Sequence, residues 1–294
     1  MLKLGIDLGG TKIEGVVLDH EGQILFRQRI PTEQEQGYTA ILKKIGSLYK
    51  TMLHAIANAP HTLGIGTPGT LSRQTGRLKN SNTQCLNGQP LERDLEIVLS
   101  KKISAVNDAN CFALAETLYG AAQNKNTVFG VILGTGCGGG IVMQGRLHEG
   151  LQGIGGEWGH TVIDPQGHSC YCGKKGCVET FISGGGLEQR YQLLYQTPRP
   201  LQDIVKRYRQ TIQPDEYFFK TFLTYFGIAL SNMINILDPD IIVLGGGVSN
   251  IDELYSLGIL EVKKNVFNDH LETPIVKNRL GDSAGVIGAA LLGI

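Results

Sequence analysis

The sequence predicts an α/β protein built from two similar lobes. Three observations carry that expectation. Apolar runs of strand length alternate with helical spacings along the chain. A unit of strand, Gly/Thr turn and strand occurs twice, once around Gly9-Gly10-Thr11 and again around Gly134-Thr135-Gly136. The length, 294 residues, exceeds what a single core usually organises, so two domains are expected.

In order, residues 2–7 read as a buried strand running into Gly9 and Gly10, and residues 13–18 and 23–30 as two further strands that turn at Glu21-Gly22. Ile41, Ile45, Leu48, Met52, Leu53 and Ile56 fall on one face of a helix over 38–58. A short strand at 62–66 stops at Pro68-Gly69. A helix at 91–100, a strand at 103–106 and a helix at 109–121 follow. The second lobe opens with strands at 128–133 and 141–144. Later come a long helix near 215–237, a strand at 241–244 entering Gly245-Gly246-Gly247, a further helix, a strand at 273–277 and a last helix at 283–292. The expected domains are residues 1–122 and 123–294, with a metal-binding insertion at 157–180 and a final helix that can pack back on the first lobe.

Charge is balanced, 27 Lys+Arg against 27 Asp+Glu, so no electrostatic footprint for nucleic acid or an anionic membrane exists. No apolar run reaches membrane-spanning length, and the opening residues lack the basic-then-apolar pattern of a signal peptide; a cytoplasmic protein is expected. Three of the six cysteines crowd into residues 170–177, a pattern of metal binding rather than of a disulfide framework.

The glycines mark candidate ligand loops. In Asp7-Leu8-Gly9-Gly10-Thr11-Lys12, the glycines let backbone N–H groups approach phosphate oxygens, Thr11 adds a hydroxyl, and Asp7 can hold Mg²⁺ through water. An ordinary glycine hairpin with a capping Asp is the plainer reading. Gly134-Thr135-Gly136-Cys137-Gly138-Gly139-Gly140 is a second such loop; no helix follows it directly, which weakens a nicotinamide-dinucleotide reading. Gly245-Gly246-Gly247 offers a side-chain-free wall for adenine or ribose.

His160, Cys170, Cys172 and Cys177 supply one imidazole and three thiolates, the donor set of a closed, structural Zn²⁺ site. Free thiols with a core histidine are the alternative. His148 is a weaker ligand candidate, and His168 is the more plausible substitute. Glu157 lies three residues before His160 and Glu179 two after Cys177, so a bound ion would fix two carboxylates as acceptors for sugar hydroxyls; surface charge is their plain reading. Asp108, in Asn107-Asp108-Ala109-Asn110 at a strand-to-helix junction, suits a general base, a helix N-cap, or both, and Asn107 suits a sugar hydroxyl or the orientation of Asp108.

Taken together, Gly5 to Lys12, Asn107 to Asn110, Leu133 to Gly136, Gly156-Glu157-Trp158-Gly159-His160, the segment from Cys170 to Glu179, and Ile241 to Gly247 resemble the ROK family (repressor, open reading frame, kinase) within the actin-like ATPase superfamily. The resemblance covers nearly the whole chain. It implies two actin-like, ribonuclease H-like lobes around an ATP/sugar cleft, with Asp108 as catalytic base. Asn82, Asn107, Glu157, His160 and Glu179 would hold sugar. Gly5, Asp7, Gly9, Gly10, Thr11, Lys12, Leu133, Gly134, Thr135, Gly136, Gly138, Gly139, Gly140, Gly245 and Gly246 would bind ATP. His160, Cys170, Cys172 and Cys177 would bind structural zinc. Lys79 to Thr83, Leu86 to Leu91 and Trp158 resemble bacterial fructokinases more than N-acetylglucosamine kinases, so fructose, with mannose second, is the expected hexose; N-acetylglucosamine kinase and glucokinase are the alternatives. The family also implies a homodimer. It includes sugar-responsive repressors, but the first strand begins at residue 2, leaving no room upstream for a DNA-reading helix-turn-helix. A non-catalytic sugar sensor is a third class, which turnover of ATP would separate from an enzyme.

Overall fold

A computed structural model describes residues 1–293. The chain divides into two compact units. The first holds residues 1–124, 140–155 and the C-terminal segment from Leu280; the second holds residues 125–139 and 156–279. Strand nine therefore passes from the second unit to the first at Gly139-Gly140, and the last helix returns to the first unit.

The first unit is laid down as β1 (Leu2–Leu8), β2 (Lys12–Leu18), β3 (Ile24–Pro31), α1 (Tyr38–Ala55), β4 (His61–Thr67), a small ribbon of β5 (Thr70–Leu71) and β6 (Leu78–Lys79), α2 (Leu91–Leu99), β7 (Ser104–Asn107) and α3 (Asp108–Leu118). Its sheet has the order β3-β2-β1-β4-β7. β1 pairs antiparallel with β2 and parallel with β4, and β4 pairs parallel with β7. Helix α1 buries Ile41, Ile45, Leu48 and Met52, the stripe that its spacing predicts. It seats on Gly15 of β2, where a Cβ would lie 2.8 Å from the Met52 sulfur.

The chain goes on with β8 (Thr127–Leu133), β9 (Cys137–Met143) and β10 (Arg146–Leu147), of which β8 and the start of β9 belong to the second unit; that unit continues with α4 (Val178–Ile182), α5 (Gly184–Tyr195), α6 (Leu201–Arg209), α7 (Asp215–Leu237), β11 (Ile241–Gly245), α8 (Leu257–Asn265) and β12 (Ile275–Lys277), and α9 (Ala284–Leu291) follows in the first unit. The second sheet runs β10-β9-β8-β11-β12, with β8, β11 and β12 parallel. Its order repeats that of the first sheet strand for strand, so the loops after β1 and after β8 occupy equivalent places. That equivalence is the repeat visible in the sequence. The core of this unit is carried by α7, whose Phe218, Phe219, Phe222 and Phe226 are buried.

Helix α9 explains why several glycines are where they are. Its sequence, AGVIGAAL, is nearly all apolar, and it packs within the first unit against β1, β4 and α3. A Cβ at Gly5 would lie 2.4 Å from the Val286 carbonyl oxygen, one at Gly64 2.0 Å from that of Ala289, and one at Gly288 1.8 Å from that of Cys111. Backbones this close exclude any side chain.

Candidate active site

In the first unit, the carboxyl ends of the parallel strands β1, β4 and β7 gather the predicted acids, the edge where α/β sheets usually place ligands. Asp7 sits in register with Gly66, and Thr67 with Asn107. The Asp7 carboxylate fills the space left by Gly66 and Gly285, whose absent Cβ atoms would lie 3.1 and 3.0 Å from its two oxygens. Burial, then the charges of Asp108 and Glu14, push its pKa from 3.8 up to about 7, against the opposing pull of Lys12 and Arg29. Glu14 itself is buried and held by two guanidinium groups, with Arg29 Nε at 2.8 Å.

Helix α3 begins at the next strand over. Its N-cap is Asn107, whose Oδ1 accepts from the Ala109 N–H at 2.9 Å; Asp108, the first helical residue, accepts from the same N–H at 2.8 Å. The capping role considered for Asp108 thus falls mainly to its neighbour, which has the extended backbone a cap requires. Asn107 also donates to the Gly69 carbonyl at 3.4 Å. Asp108 stands half-buried at the helix N-terminus, a position that favours a carboxylate.

The loop after β1 has its carbonyls tied down. Thr32, fully buried, donates from its N–H to the Thr11 carbonyl at 3.0 Å and from its hydroxyl to the Gly9 carbonyl at 2.7 Å, while the Gly9 N–H reaches Lys12 at 2.9 Å. Among the described residues no partner takes the N–H of Gly10 or Thr11. Thr83 lies behind, its Oγ1 3.2 Å from where a Gly10 Cβ would be. Asn82 beside it is exposed and accepts from the Thr83 hydroxyl at 3.4 Å.

The second unit repeats the device with different parts. The Gly134 carbonyl accepts from the Gly184 N–H at 2.7 Å and the Thr135 carbonyl from the Gly185 N–H at 3.1 Å, so the first turn of α5 anchors the loop after β8. A Cβ at Gly185 would stand 2.6 Å from the Thr135 carbonyl oxygen. The Glu179 carboxylate accepts from the Cys137 N–H at 2.8 Å. Thr135 and Gly136 remain exposed, and no partner takes their N–H groups among the described residues. Carbonyls turned inward with N–H groups left outward make a concavity for anionic oxygen.

The metal cluster assembles as its spacing predicts. A 3₁₀ turn over Trp158–His160 delivers His160, and a tight loop delivers Cys170 and Cys172 and ends at Cys177, the residue that precedes α4. Gly173 and Gly176 have φ of +89° and +70°, and a Cβ at Gly176 would lie 1.6 Å from the Asp164 carbonyl oxygen, so only glycine closes this loop. Donor atoms of His160, Cys170, Cys172 and Cys177 lie within 4.8 Å of one another. The Cys172 and Cys177 sulfurs are 3.6 Å apart, and Cys170 Sγ is 3.5 Å from His160 Nδ1. A Zn²⁺ tetrahedron with bonds of about 2.0–2.3 Å has edges of about 3.5–3.8 Å, so donor set and spacing both fit zinc. His168 is outside the cluster, meeting the loop through its carbonyl. The other nitrogen of His160, Nε2, is 3.0 Å from the Tyr171 hydroxyl.

Other expected contacts are corrected by burial. Gly5 lies mid-strand beneath α9, so its conservation of space serves packing, not ATP. Leu133 is fully buried, and its carbonyl faces Gly246. Gly139 makes room for Trp158, whose ring would stand 2.6 Å from its Cβ, and Gly140 makes room for α3. Gly138 is half-buried and accepts from the Trp158 indole at 3.1 Å. Trp158 itself is buried edge-on against Phe129, so it does not face a ligand. Gly245 is buried at the end of β11; the open wall lies one step on. Gly247 has nothing near its Cβ position and lines a cavity of about 490 Å³ with Gln202, Lys206, Arg209 and Asn250.

Sequence reasoning missed Thr32, the first turn of α5, Tyr171 and the α6 wall. The Ser183-Gly184-Gly185-Gly186 run is the one signal that pointed to any of them, as a serine-capped helix start beside glycines; Ser183 does accept from the Gly186 N–H at 3.0 Å.

Known proteins resemble this chain over its full length. An N-acetyl-D-glucosamine kinase of Haemophilus influenzae is 36% identical over 299 residues, covering 98% of each chain. The crystal structure of a ROK hexokinase from Thermus thermophilus superposes with a TM-score of 0.89 at 33% identity, over 100% of this chain and 98% of that one. A ROK family glucokinase from Streptomyces griseus, solved with glucose and AMPPNP, gives 0.80 at 26% identity, over 100% and 99%. The model of the ROK family matches residues 3–294, and with relatives this similar end to end, the chain belongs to the ROK family.

Proposed function

We propose that this protein is an ATP-dependent hexose kinase and that its hexose is N-acetyl-D-glucosamine. The observation that carries the kinase reading is the pair of equivalent glycine loops, each with its carbonyls fastened and its N–H groups left for anionic oxygen. The relatives named above, an N-acetyl-D-glucosamine kinase among them, support the amino sugar over fructose.

In this reading Asp108 takes the proton of the attacking sugar hydroxyl as that oxygen bonds to the γ-phosphorus, and the bond to the β-phosphate oxygen breaks to leave ADP. The Gly10, Thr11, Thr135 and Gly136 N–H groups steady phosphate oxygens, and Thr11 and Thr135 add hydroxyl donors. Asp7 is the residue that would hold Mg²⁺; a buried carboxylate already crowded by Asp108 and Glu14 is suited to a divalent partner. The cation would neutralise charge on the phosphates. The cavity at Gly247, the far end of the expected Gly245-Gly246-Gly247 wall, takes adenine. His160, Glu157 and Glu179 hold sugar hydroxyls, their backbones fixed by the loop that carries His160 and the three cysteines.

A coupled assay of ADP formation with N-acetylglucosamine, glucose, mannose, N-acetylmannosamine and fructose tests this. The expected result is sugar-dependent turnover with the highest kcat/KM for N-acetylglucosamine. A preference for fructose would restore the fructokinase reading, and no stimulation by any hexose would remove the kinase assignment in favour of a sensor.

A further inference from the structure

Tyr171 stands between the zinc ligands Cys170 and Cys172, and its ring is 71% exposed, unusual for a residue with a directed hydrogen bond. The bond runs to His160 Nε2 at 3.0 Å, with the two rings edge-on, 5.1 Å apart at 89°. The His160 nitrogen near the thiolates is Nδ1. A neutral imidazole that gives Nδ1 to a metal carries its single proton on Nε2. That N–H is thus a donor, and the phenol oxygen is its acceptor. Burial first, and then the charges of Glu179 and Glu157, push the pKa of the Tyr171 hydroxyl up.

A sugar hydroxyl bound by His160 would need the same N–H. One hydrogen makes one good bond, so tyrosine and sugar exclude each other there. We propose that Tyr171 is an internal competitor for the sugar, its hydroxyl standing in for a hexose hydroxyl on His160 and swinging out when the hexose enters, so that this residue sets sugar affinity. The swing is available because the ring is exposed and leaves no core behind. This inference rests on the sugar-kinase reading of the same site.

The test is Tyr171→Phe, which keeps the ring and removes the acceptor, with Tyr171→Ala as a second variant. Sugar binding is read without turnover from the fluorescence of Trp158, the chain's one tryptophan, on the same 3₁₀ turn as His160. Zinc content confirms that the loop is intact. One neutral hydrogen bond removed from the competing state should tighten N-acetylglucosamine binding about two- to tenfold. KM for the sugar should fall by the same factor, with KM for ATP unchanged. Unchanged or weaker sugar binding in both variants, with wild type binding sugar normally, would overturn the competitor and leave the kinase assignment standing. If neither wild type nor variants bind any hexose, both fall together.

Discussion

Asp7 is the residue whose environment most constrains the chemistry. Its carboxyl is held near pKa 7 by burial and by neighbouring acids, against 3.8 in an unfolded chain. Between those values the folded protein keeps a proton that the unfolded chain has released. Its contribution to stability is therefore full below about pH 4 and is lost as pH rises through about 7. Asp7→Asn mimics the protonated form without titrating. Thermal unfolding followed from pH 4 to 8 should show wild type losing stability relative to Asp7→Asn. Mg²⁺ should stabilise wild type at pH 8 and leave the variant unmoved. Parallel profiles with no differential effect of Mg²⁺ would show that this carboxylate neither titrates in the range nor meets the cation. Nothing in the local sequence foretold the shift: Asp7 was legible as a strand-end acid, but Glu14 facing the same region on β2, and Gly285 arriving from the far end of the chain, are facts of packing.

At the scale of elements, the zinc loop was the most legible part of the molecule. Four soft donors within eighteen residues, with Gly173 and Gly176 among them, define a closed site with few alternative geometries. The phosphate loops were half legible. Their glycines announced a backbone that approaches something, but four of the expected contacts, Gly5, Leu133, Gly139 and Gly140, approach protein instead, and Gly245 is buried in its strand. A glycine reports that space is short, not what fills it. Which glycines face ligand depends on partners such as Thr32, α5 and α9, remote in sequence. The coupling of elements also makes a prediction. Glu179 on α4 begins two residues after ligand Cys177 and bonds the Cys137 N–H of the loop after β8. Metal removal by a chelator should therefore lower the thermal midpoint and weaken binding of both sugar and nucleotide, with zinc restoring all three. A metal-free protein that keeps its stability and its nucleotide affinity would break the link between this loop and its neighbour.

For the molecule as a whole, the repeated sheet order is what the sequence conveyed best. Two strand–Gly/Thr–strand units predicted two similar halves, and the sheets β3-β2-β1-β4-β7 and β10-β9-β8-β11-β12 match in order. The helices between 184 and 209 were not foreseen, because their stripes are short and interrupted by charge; α6, for example, buries only Ile204 and Val205. Among the described residues no helix is long and apolar enough to cross a membrane. Substrate choice was the least legible property. It depends on small differences in a pocket, where one methylene is worth only about 1–3 kcal/mol, and such differences leave no mark at the level of motifs. The account's central claim is phosphoryl transfer to a sugar with Asp108 as base. Its most direct test is single-turnover transfer from ATP labelled in the γ-phosphate to N-acetylglucosamine, comparing wild type with Asp108→Asn. Wild type should label the sugar, and the variant should transfer about 100- to 10,000-fold more slowly while folding normally and binding both substrates, the range general-base catalysis supplies. Transfer by the variant at near wild-type rate, or label from wild type appearing only as free phosphate, would contradict it.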